Sequence, residues 1–302
     1  MTERVLFVIN HKAGKNKNLE LEIVIKKHAI NFNYEIEFYM LCDNEHAITG
    51  IKNAIEKFKP TIITAVGGDG TVNLVSGIIY KQNIALLIVP YGSANGMAKE
   101  LQIPEELESC LDLIAKGKIV EIDLLKINNQ LSIHLADVGL NARIVKRFEL
   151  DSQRGLLTYA KHLFYELFLL RRKKFTINYN NQIKKVNAVS ITFATATKYG
   201  TGAVINPDGK LNDGLFEICI VKPFPKYELF KITYQMFRNK LKTSNYFEVI
   251  QCDKAIITCR RATLLQVDGE IIGKVKQINL EILPRVLKVL ISKQLSHPTL
   301  VN

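Results

Sequence analysis

The sequence predicts an α/β unit followed by a mostly β unit, and two patterns carry that prediction. Up to about residue 115, short apolar runs alternate with stretches of helical periodicity, the rhythm of a parallel sheet covered on both faces. From about residue 120, strand-like segments succeed one another with few helices between them, which reads as an antiparallel sheet or sandwich.

In the first part Val5–Asn10 reads as a strand, followed by a helical stretch to about Ile30. Tyr34–Leu41, Thr61–Val66 and Ile84–Val89 read as further strands. Helices are expected at Glu45–Phe58, Thr71–Tyr80 and Glu105–Ala115. In the second part strands are expected at Val120–Ile127, Gln130–Asp137, Lys174–Tyr179, Val186–Ala194, Leu215–Val221, Ala255–Cys259, Ala262–Val267, Ile278–Ile282 and Val286–Ile291, with helices at Leu156–Leu170 and Tyr227–Leu241. The division falls at 1–125 and 126–284, and a cleft between the two units is the default place for an active site.

Composition narrows the function. Of 302 residues 47% are hydrophobic and 23% charged, an ordinary globular balance. The five cysteines are scattered and contain no C-x-x-C pair, which argues against a disulfide framework or zinc site and for a reducing, cytoplasmic setting. No stretch approaches the ~20 apolar residues of a membrane span. The net charge of +12 suits anionic membranes, phosphorylated substrates or nucleic acid. No zinc-finger spacing, RNP pattern or basic tail accompanies it, so nucleic acid is not expected as a partner.

The sharpest motif is Gly67-Gly68-Asp69-Gly70-Thr71-Val72-Asn73, where a buried strand turns into a helix. Glycines there allow backbone to approach phosphate oxygens, and a helix N-terminus offers N–H donors and a positive dipole end. Asp69 would be repelled by bare phosphates, so its presence points to a bridging Mg²⁺. Thr71 and Asn73 add hydrogen bonds. The bland alternative is a tight turn capped by Asp69 or Thr71. Neither a Walker P-loop nor a G-x-G-x-x-G fingerprint is present.

A second loop, Pro90-Tyr91-Gly92-Ser93-Ala94-Asn95, ends the next strand. Ser93 and Asn95 suit phosphate or ribose, or else an N-capped helix start. Asn10-His11-Lys12-Ala13-Gly14-Lys15 follows the first strand, as a phosphate loop or a basic surface turn. In Val267-Asp268-Gly269-Glu270 the residues fit either a hairpin turn or a carboxylate serving as general base. Asp213 is a turn residue or a metal ligand. The aromatic helix at Leu156–Leu170 and its basic end at Arg171–Lys174 suit a core helix, or an acyl-chain cleft beside an anionic bilayer. Tyr227–Lys242 likewise mixes aromatic and basic residues.

Taken together, these motifs resemble the diacylglycerol kinase catalytic-domain family, in particular the soluble bacterial-type lipid kinases related to sphingosine kinases. The resemblance runs over residues 3–292. It rests on the Gly67–Asn73 and Pro90–Asn95 motifs, Asp137-Val138-Gly139-Leu140-Asn141-Ala142, Asp213-Gly214-Leu215 and Val267–Glu270, in that order. It implies an ATP-dependent lipid kinase with ATP in the interdomain cleft and the chain end, 285–295, returned to the first domain. Glu270 would be the base with Asp268 beside it, and Asp69 would help bind Mg²⁺-ATP. Asn10, Gly14, Gly67, Gly68, Gly70, Thr71, Asn73, Gly92, Ser93 and Asn95 would fall at the nucleotide. Asp213 would hold a structural Mg²⁺ with the carbonyls of Lys210 and Leu215. The partners implied are a lipid substrate and peripheral contact with an anionic membrane surface. Gly96, Leu41 and Asn206-Pro207-Asp208-Gly209 depart from common members and leave the acceptor lipid open. A soluble dinucleotide acceptor, as in NAD kinases, and a non-catalytic binder are the rival readings. A homodimer is compatible with the sequence but not specified by it.

Overall fold

The computed structural model describes residues 2–10, 18–41, 44–139, 142–143, 172–199, 202–293 and 299–301. The expected helix at Leu156–Leu170, residue Arg171, the loop 11–17 with Gly14, and Leu140 and Asn141 lie outside them. The chain forms two compact units, Met1–Ile122 with Arg285–His297 and Asp123–Pro284 with Pro298–Asn302.

The first unit is an α/β layer structure. Strands β1 (Arg4–Asn10), β2 (Glu35–Leu41), β3 (Ile62–Gly67) and β4 (Ala85–Pro90) alternate with helices α1 (Asn18–Phe32), α2 (Asn44–Phe58) and α3 (Asp69–Ile79), and helices α4 (Gly96–Glu100) and α5 (Leu107–Lys116) follow. The strands lie parallel in the order β2-β1-β3-β4. Val5–Ile9, Ile62–Val66 and Ala85–Val89 are buried without a break, because helices cover both faces of a central parallel strand. β2, at the edge, is only half-buried. The chain leaves β1 toward β2, then returns through α2 to β3 on the other side of β1. That reversal is a topological switch point, and it lies between the carboxyl ends of β1 and β3.

The second unit is antiparallel. It contains β5 (Lys118–Ile127, which enters from the first unit), β6 (Gln130–Ser132), β7 (Leu135–Gly139), β8 (Lys173–Tyr179), β9 (Gln182–Ala188), β10 (Ser190–Ala194), β11 (Phe216–Val221), β12 (Phe247–Cys252), β13 (Lys254–Val267) and the start of β14 (Glu270–Ile291, which passes into the first unit at Arg285), with helix α6 (Leu229–Phe237). β13 pairs with β14 along one edge and serves two neighbours on the other. Ala255–Cys259 pairs with β8, and Leu265–Val267 pairs with β7 after a register shift between Thr258 and Thr263. The sandwich core includes Phe175, Phe193, Phe216, Ile218 and Ile278. Alternate residues of β10 and β11, such as Ala194 and Cys219, face a second cluster with Ile232 of α6.

Several boundaries differ from the sequence reading, each for a physical reason. The expected strand Gln130–Asp137 is interrupted at Ile133 and His134, whose amides turn to a carboxylate. Val186–Ala194 is two strands that part at Val189. Ala255–Cys259 and Ala262–Val267 form one strand, since a bulge absorbs the extra residues between them. Ile278–Ile282 and Val286–Ile291 belong to one 22-residue strand. It crosses Pro284 and a left-handed Arg285 (φ 51°) and ends parallel to β4. The helix expected to Leu241 stops at Phe237, because Asn239 is left-handed (φ 52°), a helix terminator. β12 escaped the sequence reading, since its half-buried alternation is weak.

Phe193 is fully buried at the centre of the sandwich. Phe193→Ala should cost about 3–5 kcal/mol, seen as a lower midpoint in urea or thermal unfolding with the native far-ultraviolet spectrum retained at low temperature.

Candidate active site

The first set of residues gathers at the switch point of the α/β unit. β3 ends on Gly67, and Gly68 stands at the N-cap of α3 in extended backbone with no side chain capping the helix. The amides of Thr71 and Val72 both turn back to Gly68 O, at 2.9 and 3.2 Å. Those two amides are spent within the helix's first turn, which leaves the amides of Asp69 and Gly70 and the dipole end to face an anion. Asn10, at the end of β1, donates from Nδ2 to Thr71 Oγ1 at 3.1 Å, which ties the two strand ends together.

The glycines are required by close approach. A Cβ on Gly67 would lie 2.4 Å from Thr71 Oγ1, and one on Gly92 would lie 2.4 Å from the Gly68 Cα. The loop after β4 thus lies backbone to backbone against the loop after β3. Tyr91 N donates to Gly67 O at 2.9 Å, and Met97 N donates to Asp69 Oδ1 at 3.2 Å. Asp69 is half-buried, with this one oxygen engaged by α4. Asn95, left-handed at φ 51°, spends both ends of its amide on Gly92: Oδ1 accepts from Gly92 N and Nδ2 donates to Gly92 O, each at 2.9 Å. Asn95 therefore shapes the loop rather than capping α4. Ser93 and Gly70 are exposed and Asn73 is half-buried on the first turn of α3.

The second set lies on the hairpin between β13 and β14. Asp268 and Gly269 both have positive φ, 46° and 89°, and Val267 pairs with Glu270 across them, the geometry of a type I′ turn. Asp268 is only 8% exposed. Its carboxylate accepts hydrogen bonds from Ser132 Oγ (2.7 Å) and from the amides of Ile133 (2.9 Å), His134 (3.2 Å) and Leu135 (3.0 Å). Burial pushes this carboxyl up, while nearby His134 and the hydrogen bonds pull it back down. The turn is braced again by Gln266, whose Oε1 accepts from Gly269 N and whose Nε2 donates to Asp137 Oδ2, both at 2.7 Å. Glu270, at the first position of β14, is exposed. The hairpin-turn reading of this motif holds for Asp268 and Gly269, and Glu270 stands exposed beside the turn.

The third set is the loop before β11. Asp213 Oδ1 accepts from Leu215 N at 3.0 Å and Oδ2 from Gln251 Nε2 at 3.4 Å. Gly214, at φ 76°, donates to Asp123 Oδ2 at 2.7 Å. Beneath the loop Glu217 is fully buried and bonded by Asn206 Nδ2 (2.6 Å) and Gln251 Nε2 (3.0 Å). Its carboxyl is pushed up to about 7, chiefly by burial, with Asp213 and Asp208 adding repulsion. Asn206 Oδ1 is buried without a partner. No cluster of three or more His, Cys, Asp or Glu side chains able to hold a metal occurs among the described residues. A cation here would lean on Asp213 and on carbonyl oxygens, a donor set that fits a hard ion such as Mg²⁺.

Sequence reasoning missed Gln266, the 132–135 segment, Glu217 and Asn206. Each acts on a partner distant in sequence, and none carries a local signal.

An α/β unit with glycine loops at its switch point, followed by a β sandwich, is the two-domain architecture of the diacylglycerol kinase class. Residues 4–127 match the diacylglycerol kinase catalytic domain and residues 135–291 the YegS C-terminal NAD kinase beta sandwich-like domain, so the chain belongs to the diacylglycerol kinase catalytic-domain family. A Klebsiella pneumoniae (strain 342) protein named "Probable lipid kinase YegS-like" is 26% identical over 94% of both chains. A Staphylococcus saprophyticus diacylglycerol kinase is 26% identical over 91% of both. Among solved structures, a diacylglycerol kinase from Bacillus anthracis str. Sterne has the same fold, with a TM-score of 0.75 at 17% identity over 97% of this chain and 98% of that one.

Two substitutions separate architecture from chemistry. Asp268→Ala strips four buried donors of their acceptor and should cost about 3 kcal/mol or more, read as a lowered unfolding midpoint. Under the function proposed below, Gly92→Ala should leave the fold intact and weaken ATP binding at least roughly tenfold, by driving the loops after β3 and β4 apart, as isothermal titration would show.

Proposed function

We propose that the protein transfers the γ-phosphoryl group of ATP to the hydroxyl of a lipid. The observation that carries the proposal is the uncapped N-terminus of α3, reached through two glycines and flanked by Asp69. In a family of lipid and diacylglycerol kinases, that is where nucleotide phosphates are expected.

The residues take the following parts. Gly67, Gly68 and Gly70 let the nucleotide phosphates approach the backbone, and the amides of Asp69 and Gly70 bind phosphate oxygens. Thr71, oriented by Asn10, Asn73 and the exposed Ser93 add polar contacts. Asp69 would hold Mg²⁺, which when bound neutralises charge on the phosphates. Glu270 accepts the proton of the lipid hydroxyl as its oxygen forms a bond to the γ-phosphorus. The bond from that phosphorus to the β–γ bridging oxygen breaks and ADP leaves. Asp268 is a positioning residue, since its carboxylate is occupied in holding the turn from which Glu270 projects. Asp213, with the carbonyls of Lys210 and Leu215, would hold a structural Mg²⁺. Most of the acceleration comes from positioning and from charge stabilisation rather than covalent chemistry.

The test is incubation with labelled ATP, Mg²⁺ and mixed micelles of candidate lipids, beside Asp69→Ala and Glu270→Gln. Labelled product in the organic phase is expected from the native protein. Each variant should lose roughly a hundredfold or more in turnover, with Glu270→Gln retaining native stability because Glu270 is exposed. Label on NAD and none on lipid would overturn the lipid reading in favour of a dinucleotide acceptor. Transfer to neither, with ATP still bound, would point to a non-catalytic binder.

A further inference from the structure

Helix α6 carries apolar side chains on two opposite sides, and only one is buried. Ile232 is buried and Met236 half-buried, both against the cluster of Leu135, Ala194, Ile205, Cys219 and Phe247. On the other side Phe230, Tyr234 and Phe237 are 70%, 60% and 59% exposed, and Tyr227, in the turn that leads into the helix, is 76% exposed. At 100° per residue the three helical aromatics fall within an arc of about 60°, so they form a ridge. Four of the five exposed large aromatic side chains among the described residues stand on this one segment. Single exposed apolar residues are ordinary, but a continuous aromatic ridge marks a contact surface.

Its surroundings select the occupant. Between residues 226 and 242 stand Lys226, Lys231, Arg238, Lys240 and Lys242 against a single acid, Glu228. All five basic residues are exposed. Lys231 lies 3.8 Å from Glu228, Lys242 pairs with Asp208, and the Arg238 guanidinium sits 5.9 Å over the Tyr234 ring. A second copy on a two-fold axis would bring like charges together around the ridge. An anionic bilayer supplies apolar depth for the aromatics and negative charge for the rim, the two signals that stable peripheral binding needs. Tyr and Phe suit the headgroup level because each ring is apolar and Tyr keeps a wet hydroxyl.

We infer that the Tyr227–Phe237 ridge is a membrane-docking surface that seats shallowly in an anionic phospholipid bilayer, with Lys231, Arg238 and Lys240 at the headgroups. The inference deepens the lipid-kinase reading, which explains why such a surface would be useful, but docking itself needs neither nucleotide nor turnover.

Sedimentation with vesicles of phosphatidylcholine, with and without phosphatidylglycerol, tests it in the absence of ATP. The native protein should bind the phosphatidylglycerol vesicles and release them as salt rises. The double variant Phe230→Ser/Phe237→Ser should bind about tenfold or more weakly. Lys231→Glu/Lys240→Glu should lose roughly fivefold or more per charge. All four positions are exposed, so circular dichroism and unfolding midpoints should stay native. Unchanged vesicle binding in both variants, or no preference of the native protein for phosphatidylglycerol, overturns the proposal. So does conversion of a native dimer to a monomer by the Phe variant, seen by light scattering, with vesicle binding unchanged; the ridge would then be covered by a second copy. Transfer to a short-chain diacylglycerol dispersed in detergent should be the same in native and variant proteins. Were the native protein inactive there while the variants still lost vesicle binding, the kinase reading would fall and the docking surface would stand.

Discussion

The carboxylate of Asp268 reaches across more than a hundred residues of sequence to take three backbone amides and one hydroxyl from residues 132–135. Those amides would otherwise be buried without acceptors, each at a cost of about 1–3 kcal/mol. The contact therefore decides where β6 ends, where β7 begins and how the β13–β14 hairpin is held. Gln266 adds a second brace between the turn and Asp137. The turn needs left-handed backbone at two successive positions, which Asp and Gly tolerate better than other residues. Glu270 inherits its position from all of this, although it takes no part in the grip itself.

The α/β unit reaches the same end with small residues instead of a buried charge. At Gly67 and Gly92 a Cβ would come within 2.4 Å of a neighbouring atom, and at Gly68 within 3.3 Å of the Gly92 Cα. Asn10, Tyr91 and Asn95 lock the neighbouring segments with hydrogen bonds near 3 Å. The helix end is left without a side-chain cap, while Asn10, Asn95 and the Tyr91 amide are all bonded. A helix terminus kept open inside a tightly bonded surround is pre-organised for a ligand, since little ordering remains to be done on binding.

How much of this could be read from the residues depends on how local the cause is. β1, β3 and β4 are legible because burial on both faces makes each a continuous apolar run, and their helices follow from the alternation. The Gly67–Thr71 turn is legible because strand, glycines and helix start are adjacent. The strand interruptions at Ile133 and Val189 and the bulge in β13 are not, since each is imposed by a neighbour distant in sequence. Asp268 illustrates the limit. Its sequence context shows a turn and a carboxylate, but its partners at 132–135 are invisible until the chain is folded. Gly14 and residues 156–170, where the sequence predicts a helix, fall outside the described residues, so the acyl-chain reading rests on sequence alone.

Three of the acidic groups of the second unit, Asp268, Glu270 and Glu217, show how environment divides labour among like side chains. Asp268 is buried and saturated with donors, so its charge is spent on architecture. Glu270 is two residues away and exposed, and takes no part in that network. Glu217 is buried with only two amide partners, and its carboxyl is pushed up to about 7 by burial, with Asp213 and Asp208 nearby. Concentrating acids beneath one loop is unfavourable unless a proton or a cation offsets the charge. The orphaned Asn206 Oδ1 in the same region adds an acceptor that lacks a donor. Burial and repulsion act on Glu217 in the same direction, and a proton held there relieves both.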